Sequence, residues 1–147
     1  MKAVNTMKVT FPAISRNEGL ARSVIAAFVS QLDPTVEELS DIRAAVSEAV
    51  TNAIVHGYRD QSGMIDLSAG FDRENNLYIR IKDKGCGIEN IEQAMTPLFT
   101  TAPEGERAGL GFAVMEAFCD KVTVKSAAGK GTTVTLKKRL LTRYEQD

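Results

Sequence analysis

The spacing of the apolar residues changes near Met64, and this change limits the folds that are open to the chain. Before it, apolar residues recur at helical intervals over two long segments. After it, they alternate with polar residues, which indicates strands. The full order is a strand, two helices, two strands, a loop, a helix and two strands. Successive antiparallel strands with their helices gathered together predict an α+β fold, a two-layer α/β sandwich.

Local signals predict where the first elements begin and end. Segments 15–18 and 35–38 both have the S/T-x-x-E spacing of a capping box, so a helix is expected to begin at each. Asp33 and the proline after it would end the first helix, and Gly57 would end the second as its C-terminal cap. Segment 8–11 alternates polar and apolar residues and predicts a short edge strand.

Two β-hairpins are predicted in the second half of the chain. Segments 65–71 and 77–81 alternate around a polar turn at 72–76. A final pair of strands, 122–124 and 134–136, flanks a turn that contains glycines.

Between the hairpins, segment 88–95 predicts a short helix, and helical spacing resumes over 111–119. The stretch 96–108 has little periodicity and predicts a loop. A structureless segment of that length inside a compact domain is usually either functional or disordered.

The composition predicts one globular domain over residues 1–147, with a charged tail at 139–147. A net charge of -1 gives no sign of direct nucleic-acid or membrane binding. There is no apolar run of about 20 residues and no apolar core of a signal peptide, so a cytoplasmic location is expected. The two cysteines lack metal-ligand spacing and there is a single histidine, which argues against a zinc site.

Glu48, Asn52 and His56 follow one another at intervals of four residues near the end of the second helix. That spacing places them on one row of the helix surface. An amide oxygen of Asn52 suits Mg²⁺, and Glu48 suits a general base for a hydroxyl or a water. Taken alone, the row is equally consistent with a solvated helix face. His56 is interpreted as favourable charge at a helix C-terminus rather than as a chemical group.

Asp83 comes at the end of a predicted strand and is followed by Gly85 and Gly87. A carboxylate there can accept a hydrogen bond from an exocyclic amine such as that of adenine, and glycines let the backbone approach a flat base. The alternative is an ordinary loop. Thr132 or Thr133 would reach the same base if the last strand lies beside the strand of Asp83.

Gly109, Leu110 and Gly111 stand where a helix is predicted to begin, and free amides at a helix N-terminus bind phosphate. Arg107 would add a positive charge beside them. A G-x-G sequence is weak evidence by itself, and a P-loop is not formed because segment 129–133 lacks the upstream glycine and precedes a strand.

Taken together and in this order, the segments resemble the GHKL family of ATP-binding domains, the Bergerat fold, and within it the small anti-sigma serine kinases of bacteria, most closely those of sporulation. The segments that carry the resemblance are V-S-E-A-V-T-N-A-I-V-H-G-Y at 46–58, D-K-G-C-G-I at 83–88, P-L-F-T-T at 97–101, E-R-A-G-L-G-F at 106–112 and G-T-T-V at 131–134. A-F-V-S-Q-L-D-P-T at 27–35 resembles the anti-sigma branch specifically. The resemblance implies a mixed, mostly antiparallel sheet with helices on one face.

The resemblance also implies an activity. Members bind ATP with Mg²⁺, phosphorylate a serine of an anti-anti-sigma protein with a STAS domain, and sequester a sigma factor, here of the sporulation sigma-F type, as a homodimer. It implies that Glu48 is the catalytic base and that Asn52 holds Mg²⁺. Asp83, Gly85, Gly87 and Thr132 or Thr133 would bind adenine, and residues 96–111 would form a lid over the phosphates. Lid residues expected to bind ATP are Thr100, Thr101, Arg107, Gly109, Leu110 and Gly111.

Arg22, on the exposed face of the first helix, resembles an arginine used for partner contact. One position departs from the family pattern: Ala102 follows the paired threonines of the lid, where a lysine is frequent. The departure leaves open an ATP-gated sigma-binding module with little kinase activity. A related kinase acting on the general-stress sigma factor is a further alternative, because its ATP site would look the same. The catalytic half of a sensor histidine kinase is disfavoured, since the chain has no sensor or dimerisation-helix region.

Overall fold

The computed structural model describes residues 2–59, 61–88 and 111–141. Their helices and strands follow the predicted order. The strands are β1 (Asn5–Pro12), β2 (Met64–Phe71), β3 (Asn76–Asp83), β4 (Lys121–Ala127) and β5 (Gly131–Arg139); the helices are α1 (Arg16–Val29), continued by a 3-10 turn (Ser30–Leu32), α2 (Val36–Asn52), continued by a π-helical turn (Ala53–Gly57), and α3 (Phe112–Phe118).

The five strands form one sheet in the order β1-β2-β3-β5-β4, and each neighbouring pair is antiparallel. Alternate residues of the strands, such as Ile65, Leu67, Ile79, Ile81 and Leu136, are buried in one core with the apolar faces of the helices. The α+β sandwich with helices on one face is therefore confirmed. Because β5 lies between β3 and β4, the end of β3 meets the start of β5.

The capping box at the start of α2 is present as predicted. The backbone N–H of Glu38 donates to the Thr35 hydroxyl at 3.0 Å, and the Thr35 N–H donates to the Glu38 carboxylate at 2.9 Å. The equivalent prediction for α1 is wrong, because Ser15 makes no side-chain capping bond. Glu18 instead accepts from Arg22 on the next turn and from the hydroxyl of Ser47 on α2.

Two helix and strand ends also differ from prediction. Gly57 does not end α2 as a left-handed cap, since the helix continues through it as a π turn and the first positive φ, 48°, belongs to Arg59. Leu140, assigned to the tail, is fully buried, and its N–H donates to the carbonyl of Asn75 at 2.9 Å.

Candidate nucleotide site

The row of polar side chains on α2 is drawn into the fold. Asn52 and His56 are each only 8% exposed, and Glu48 is partly buried. The π turn holds this end of the helix, with the Tyr58 N–H donating to the Ala53 carbonyl at 2.9 Å. A solvated helix face would leave such side chains open to water. The row therefore lines an interior surface.

Asp83 lies at the end of β3, against the end of α2. A Cβ atom added to Gly57 would stand 3.1 Å from Cγ and from both carboxylate oxygens of Asp83. Asp83 is 6% exposed, and its carboxylate accepts from the Gly85 N–H at 2.9 Å. Burial raises the pKa of the Asp83 carboxyl above its usual value, while the N–H groups of Gly85 and Thr132 act in the opposite direction.

The loop after Asp83 is fastened to the end of α2 by its backbone. The Cys86 N–H donates to the Gly57 carbonyl at 2.8 Å, and the Cys86 thiol lies 3.2 Å from the carbonyl oxygen of His56. Gly85 packs so closely on the backbone of Gly57 that a side chain has no room. The glycines at 57 and 85 are therefore explained by close approach of two backbone segments.

Tyr58 adds a third tie between these segments, which the sequence gave no reason to single out. Its hydroxyl accepts from the Lys84 N–H at 2.8 Å and donates to the Met64 carbonyl at 2.6 Å. One buried phenol thus joins the end of α2, the start of β2 and the loop after Asp83.

The β3–β5 pairing decides which threonine shares a face with Asp83. Thr132 pairs with Asp83, and Thr133 pairs with Lys82. Because successive side chains alternate between the faces of a sheet, Thr132 lies on the face of Asp83 and Thr133 on the opposite face. The burial agrees, since Thr132 is 9% exposed and Lys82 is exposed.

The β4–β5 hairpin closes the far side of the loop. Gly87, with a φ of 75°, packs on the carbonyl of Ala127, and the Gly129 N–H donates to the Cys86 carbonyl at 2.6 Å. A positive φ with a backbone group in the place of a side chain leaves glycine as the residue that fits. The Ser126 hydroxyl, which the sequence did not indicate, accepts from the Ile88 N–H at 2.7 Å.

Glu48 meets Gly111, the residue that precedes α3. Gly111 has a φ of 71°, and a Cβ atom there would collide with a carboxylate oxygen of Glu48 and stand 3.0 Å from its carboxyl carbon. The structure therefore brings together Glu48, Asn52, Asp83, Gly85, Gly87, Gly111 and Thr132 around the end of α2.

The remaining predicted residues divide into two groups. Arg22 lies on α1, where it forms an ion pair with Glu18 at 2.9 Å, and its side chain is 40% exposed. The rest lie outside the described residues, as do the predicted helix at 88–95 from residue 89 onward and the lid up to residue 110; these are Thr100, Thr101, Arg107, Gly109 and Leu110.

The donor set suits a hard cation that is shared with phosphate. Asn52 offers an amide oxygen one turn from the Glu48 carboxylate, and Mg²⁺ takes few protein ligands beside water and phosphate oxygens. Within the described ranges there is no cluster of three or more His, Cys, Asp or Glu side chains able to hold a metal ion. None of the helices in those ranges is both long and apolar enough to cross a membrane.

Comparison with known proteins gives a consistent result. A family model described as a histidine kinase-like ATPase domain matches residues 11–138. Two curated relatives, both named anti-sigma F factor, come from Geobacillus sp. (strain WCH70) and Thermoanaerobacter sp. (strain X514). They are 54% and 53% identical; the alignments cover 91% and 94% of this chain and 92% and 96% of theirs.

The solved structure of the RsbU and RsbW domains of Rv1364c from Mycobacterium tuberculosis shares the fold, with a TM-score of 0.69 at 23% identity. That match covers 93% of this chain and 33% of the other.

Proposed function

The chain belongs to the histidine kinase-like ATPase domain family, in the branch of the anti-sigma F factors, and from this membership and its site we infer that it is an anti-sigma factor and an ATP-dependent protein serine kinase. It binds MgATP and transfers the γ-phosphoryl group to a serine of an anti-anti-sigma protein with a STAS domain. It also sequesters a sporulation sigma factor of the sigma-F type, acting as a homodimer in the cytoplasm.

In this proposal the end of β3 binds the base. The Asp83 carboxylate accepts a hydrogen bond from the exocyclic amine of adenine, and Thr132 lies beside it on the same face of the sheet. Gly85 and Gly87 keep the loop close to the base plane, because neither has a side chain to intervene. The buried position of Asp83 strengthens the contact, since a hydrogen bond to a carboxylate is worth more where water is excluded.

The row on α2 serves the phosphates. Asn52 would hold Mg²⁺, which when bound neutralises charge on the transferred phosphoryl group. Glu48 accepts the proton of the substrate serine as its oxygen bonds to the γ-phosphorus. The bond from that phosphorus to the bridging oxygen breaks, and ADP leaves with the electron pair.

The contact between Glu48 and Gly111 is the observation that supports a kinase most directly. Gly111 is the last residue of the proposed lid, so a carboxylate stands where that segment rejoins the described fold. A module that only binds ATP has no need for a carboxylate there, whereas transfer to a hydroxyl needs a proton acceptor.

Substitution of the proposed base tests the activity. Glu48→Gln keeps the shape of the side chain and removes its basicity, so transfer of labelled phosphate from ATP to a STAS-domain partner should fall about 100-fold or more. Its nucleotide affinity, measured by calorimetry with Mg²⁺, should change little. Glu37→Gln, on an exposed position of the first turn of α2, is the matched control.

Undiminished phosphorylation by Glu48→Gln would contradict the assignment of the base. Absence of phosphorylation by the unaltered protein, together with normal ATP binding, would favour the ATP-gated binding module. The sigma partner is a separate question. It is answered by identifying which sigma factor co-purifies with the chain from a sporulating cell extract.

A further inference from the structure

Three side chains form a row across neighbouring strands at the base end of the site. Asp83 on β3 pairs with Thr132 on β5, and Thr132 pairs with Ser126 on β4. Directly paired residues of antiparallel strands project to the same face with Cβ atoms about 5 Å apart. The row therefore runs from the proposed adenine-binding carboxylate to a serine that no motif indicated.

The Ser126 hydroxyl is surrounded by three hydrogen-bonding groups. The Ile88 N–H lies 2.7 Å from it, the Gly131 carbonyl 3.0 Å and the Thr132 hydroxyl 2.8 Å. A serine hydroxyl has one proton to donate and two lone pairs to accept with. Ile88 can only donate to it, and Gly131 can only accept from it.

All three contacts are hydrogen bonds at once in a single arrangement of the protons. Ser126 then donates to the Gly131 carbonyl and accepts from both Ile88 and Thr132. The Thr132 proton is occupied by Ser126, and the Thr132 oxygen keeps its lone pairs for any other neighbour. Beside Asp83, Thr132 thereby becomes an acceptor.

We propose that Ser126 is a positioning residue for base specificity, because it fixes Thr132 as an acceptor beside the carboxylate of Asp83. The paired acceptors suit a purine with an amino group at position 6 and oppose one with an oxo group there. The inference rests on the proposed function, since it assumes that the site binds a purine nucleotide. Ser126 also holds the Ile88 N–H, so it closes the loop after Asp83 against the hairpin.

Nucleotide selectivity tests the role of Ser126. ATP and inosine triphosphate differ at position 6, where the second carries an oxo group. The unaltered protein should prefer ATP by at least about tenfold, as a site built to hydrogen-bond an amine does. In Ser126→Ala the Thr132 proton is released, and the ratio of the two dissociation constants should fall by about three- to tenfold, the effect of one hydrogen bond.

Two further variants separate positioning from a general loss of structure. Ser126→Thr keeps the hydroxyl and should keep the selectivity. Thr132→Val removes the acceptor itself and should match Ser126→Ala, and the double variant Ser126→Ala/Thr132→Val should lose no more than either single one. Thermal unfolding of each variant shows whether it is folded at the temperature of the binding experiment. If Ser126→Ala is unfolded there, Thr132→Val and Ser126→Thr carry the comparison.

Each outcome decides the matter. Equal weakening of both nucleotides by Ser126→Ala, with the ratio unchanged, would overturn the positioning role while leaving the proposed function intact. So would the loss of selectivity in Ser126→Thr. An unaltered protein that binds neither nucleotide, or both alike, would overturn the proposed function and this inference together.

Discussion

The Cα atom of Gly111 lies against the carboxylate of Glu48, so that a methyl group on Gly111 would stand 3.0 Å from the carboxyl carbon and 3.2 Å from Cβ of Glu48. Two segments far apart in the sequence are thus in contact at their backbone and side chain. The contact fixes where the proposed base points. It also requires that position 111 carry no side chain.

Gly111→Ala should abolish phosphoryl transfer as well as destabilise the protein. The backbone strain of alanine at a φ of 71° costs about 1 kcal/mol, and the collision with Glu48 displaces the carboxylate. Gly129→Ala is a matched control because Gly129 has a φ of 77° with nothing within 4 Å of the added Cβ. Urea unfolding should show a loss for both variants, whereas the kinase assay should show a loss for Gly111→Ala alone. Equal activity of the two variants would contradict a role for this contact.

Asp83→Asn should separate affinity from stability. Loss of the carboxylate removes a charged acceptor, so ATP affinity should fall about ten- to a hundredfold. Because burial raises the pKa of Asp83 above the usual 3.8, the folded state holds the proton more tightly than the unfolded state. The stability that this linkage contributes is full below pH 3.8 and is lost as the pH rises through the higher folded pKa.

The free energy of unfolding of Asp83→Asn should therefore improve relative to the unaltered protein as the pH rises from about 4 to about 8. Urea unfolding at several pH values over that range measures the difference. Glu74→Gln, at an exposed position of the β2–β3 turn, is the control for removal of one charge. A difference that shrinks with rising pH would show that the buried carboxylate is not a source of instability.

Gly57→Ala should weaken ATP binding without weakening the fold. Gly57 has no positive φ, and an alanine in a helical turn is favoured over glycine by about 0.5 to 1 kcal/mol. Its methyl group would, however, press on the Asp83 carboxylate from 3.1 Å. We expect thermal unfolding to occur at the same or a higher temperature and ATP affinity to fall about tenfold, the worth of one displaced hydrogen bond.

Gly19→Ala, within α1, provides the comparison for Gly57→Ala, because its nearest neighbour would be Arg22 at an ordinary 3.8 Å. It should gain stability and keep its affinity. A Gly57→Ala protein that binds ATP normally would mean that the carboxylate can move without consequence.

Asn52→Ala should remove the dependence of nucleotide affinity on Mg²⁺. Calorimetry with ATP, first with Mg²⁺ and then with EDTA, should show a clear difference for the unaltered protein and almost none for the variant. Asp83→Asn is the useful comparison here, since it should bind more weakly in both conditions and keep the effect of the metal. Persistence of the Mg²⁺ effect in Asn52→Ala would exclude this amide oxygen as a ligand.

Most of the secondary structure and the position of the site could be predicted from the sequence, because both depend on periodic or local signals. The alternation in β2 and β3 and the row on α2 each follow from side-chain spacing alone. The β3–β5 pairing was expected only conditionally, and the structure supplies it. That pairing is what distinguishes Thr132 from Thr133.

The predictions failed where tertiary contacts outweighed a local pattern. Ser15 and Glu18 have capping-box spacing, but the Glu18 carboxylate is engaged by Arg22 and Ser47 instead. Gly57 has the position of a helix cap, but its lack of a side chain serves the approach of Asp83 and Gly85. Tyr58 and Ser126 escaped notice because their partners are backbone groups on segments that only the folded chain brings near.

The π turn at Ala53–Gly57 makes the number of residues in this stretch as consequential as their identity. A π turn holds one more residue than an α turn, and deleting one residue would restore a regular helix at little cost in hydrogen bonds. Everything after the deletion would then rotate by about 100° around the helix axis. Tyr58 would leave the Lys84 N–H, and Gly57 would leave the Asp83 carboxylate. Relatives that differ here by a single insertion or deletion would therefore need a rebuilt base pocket, even with every polar residue of the row retained.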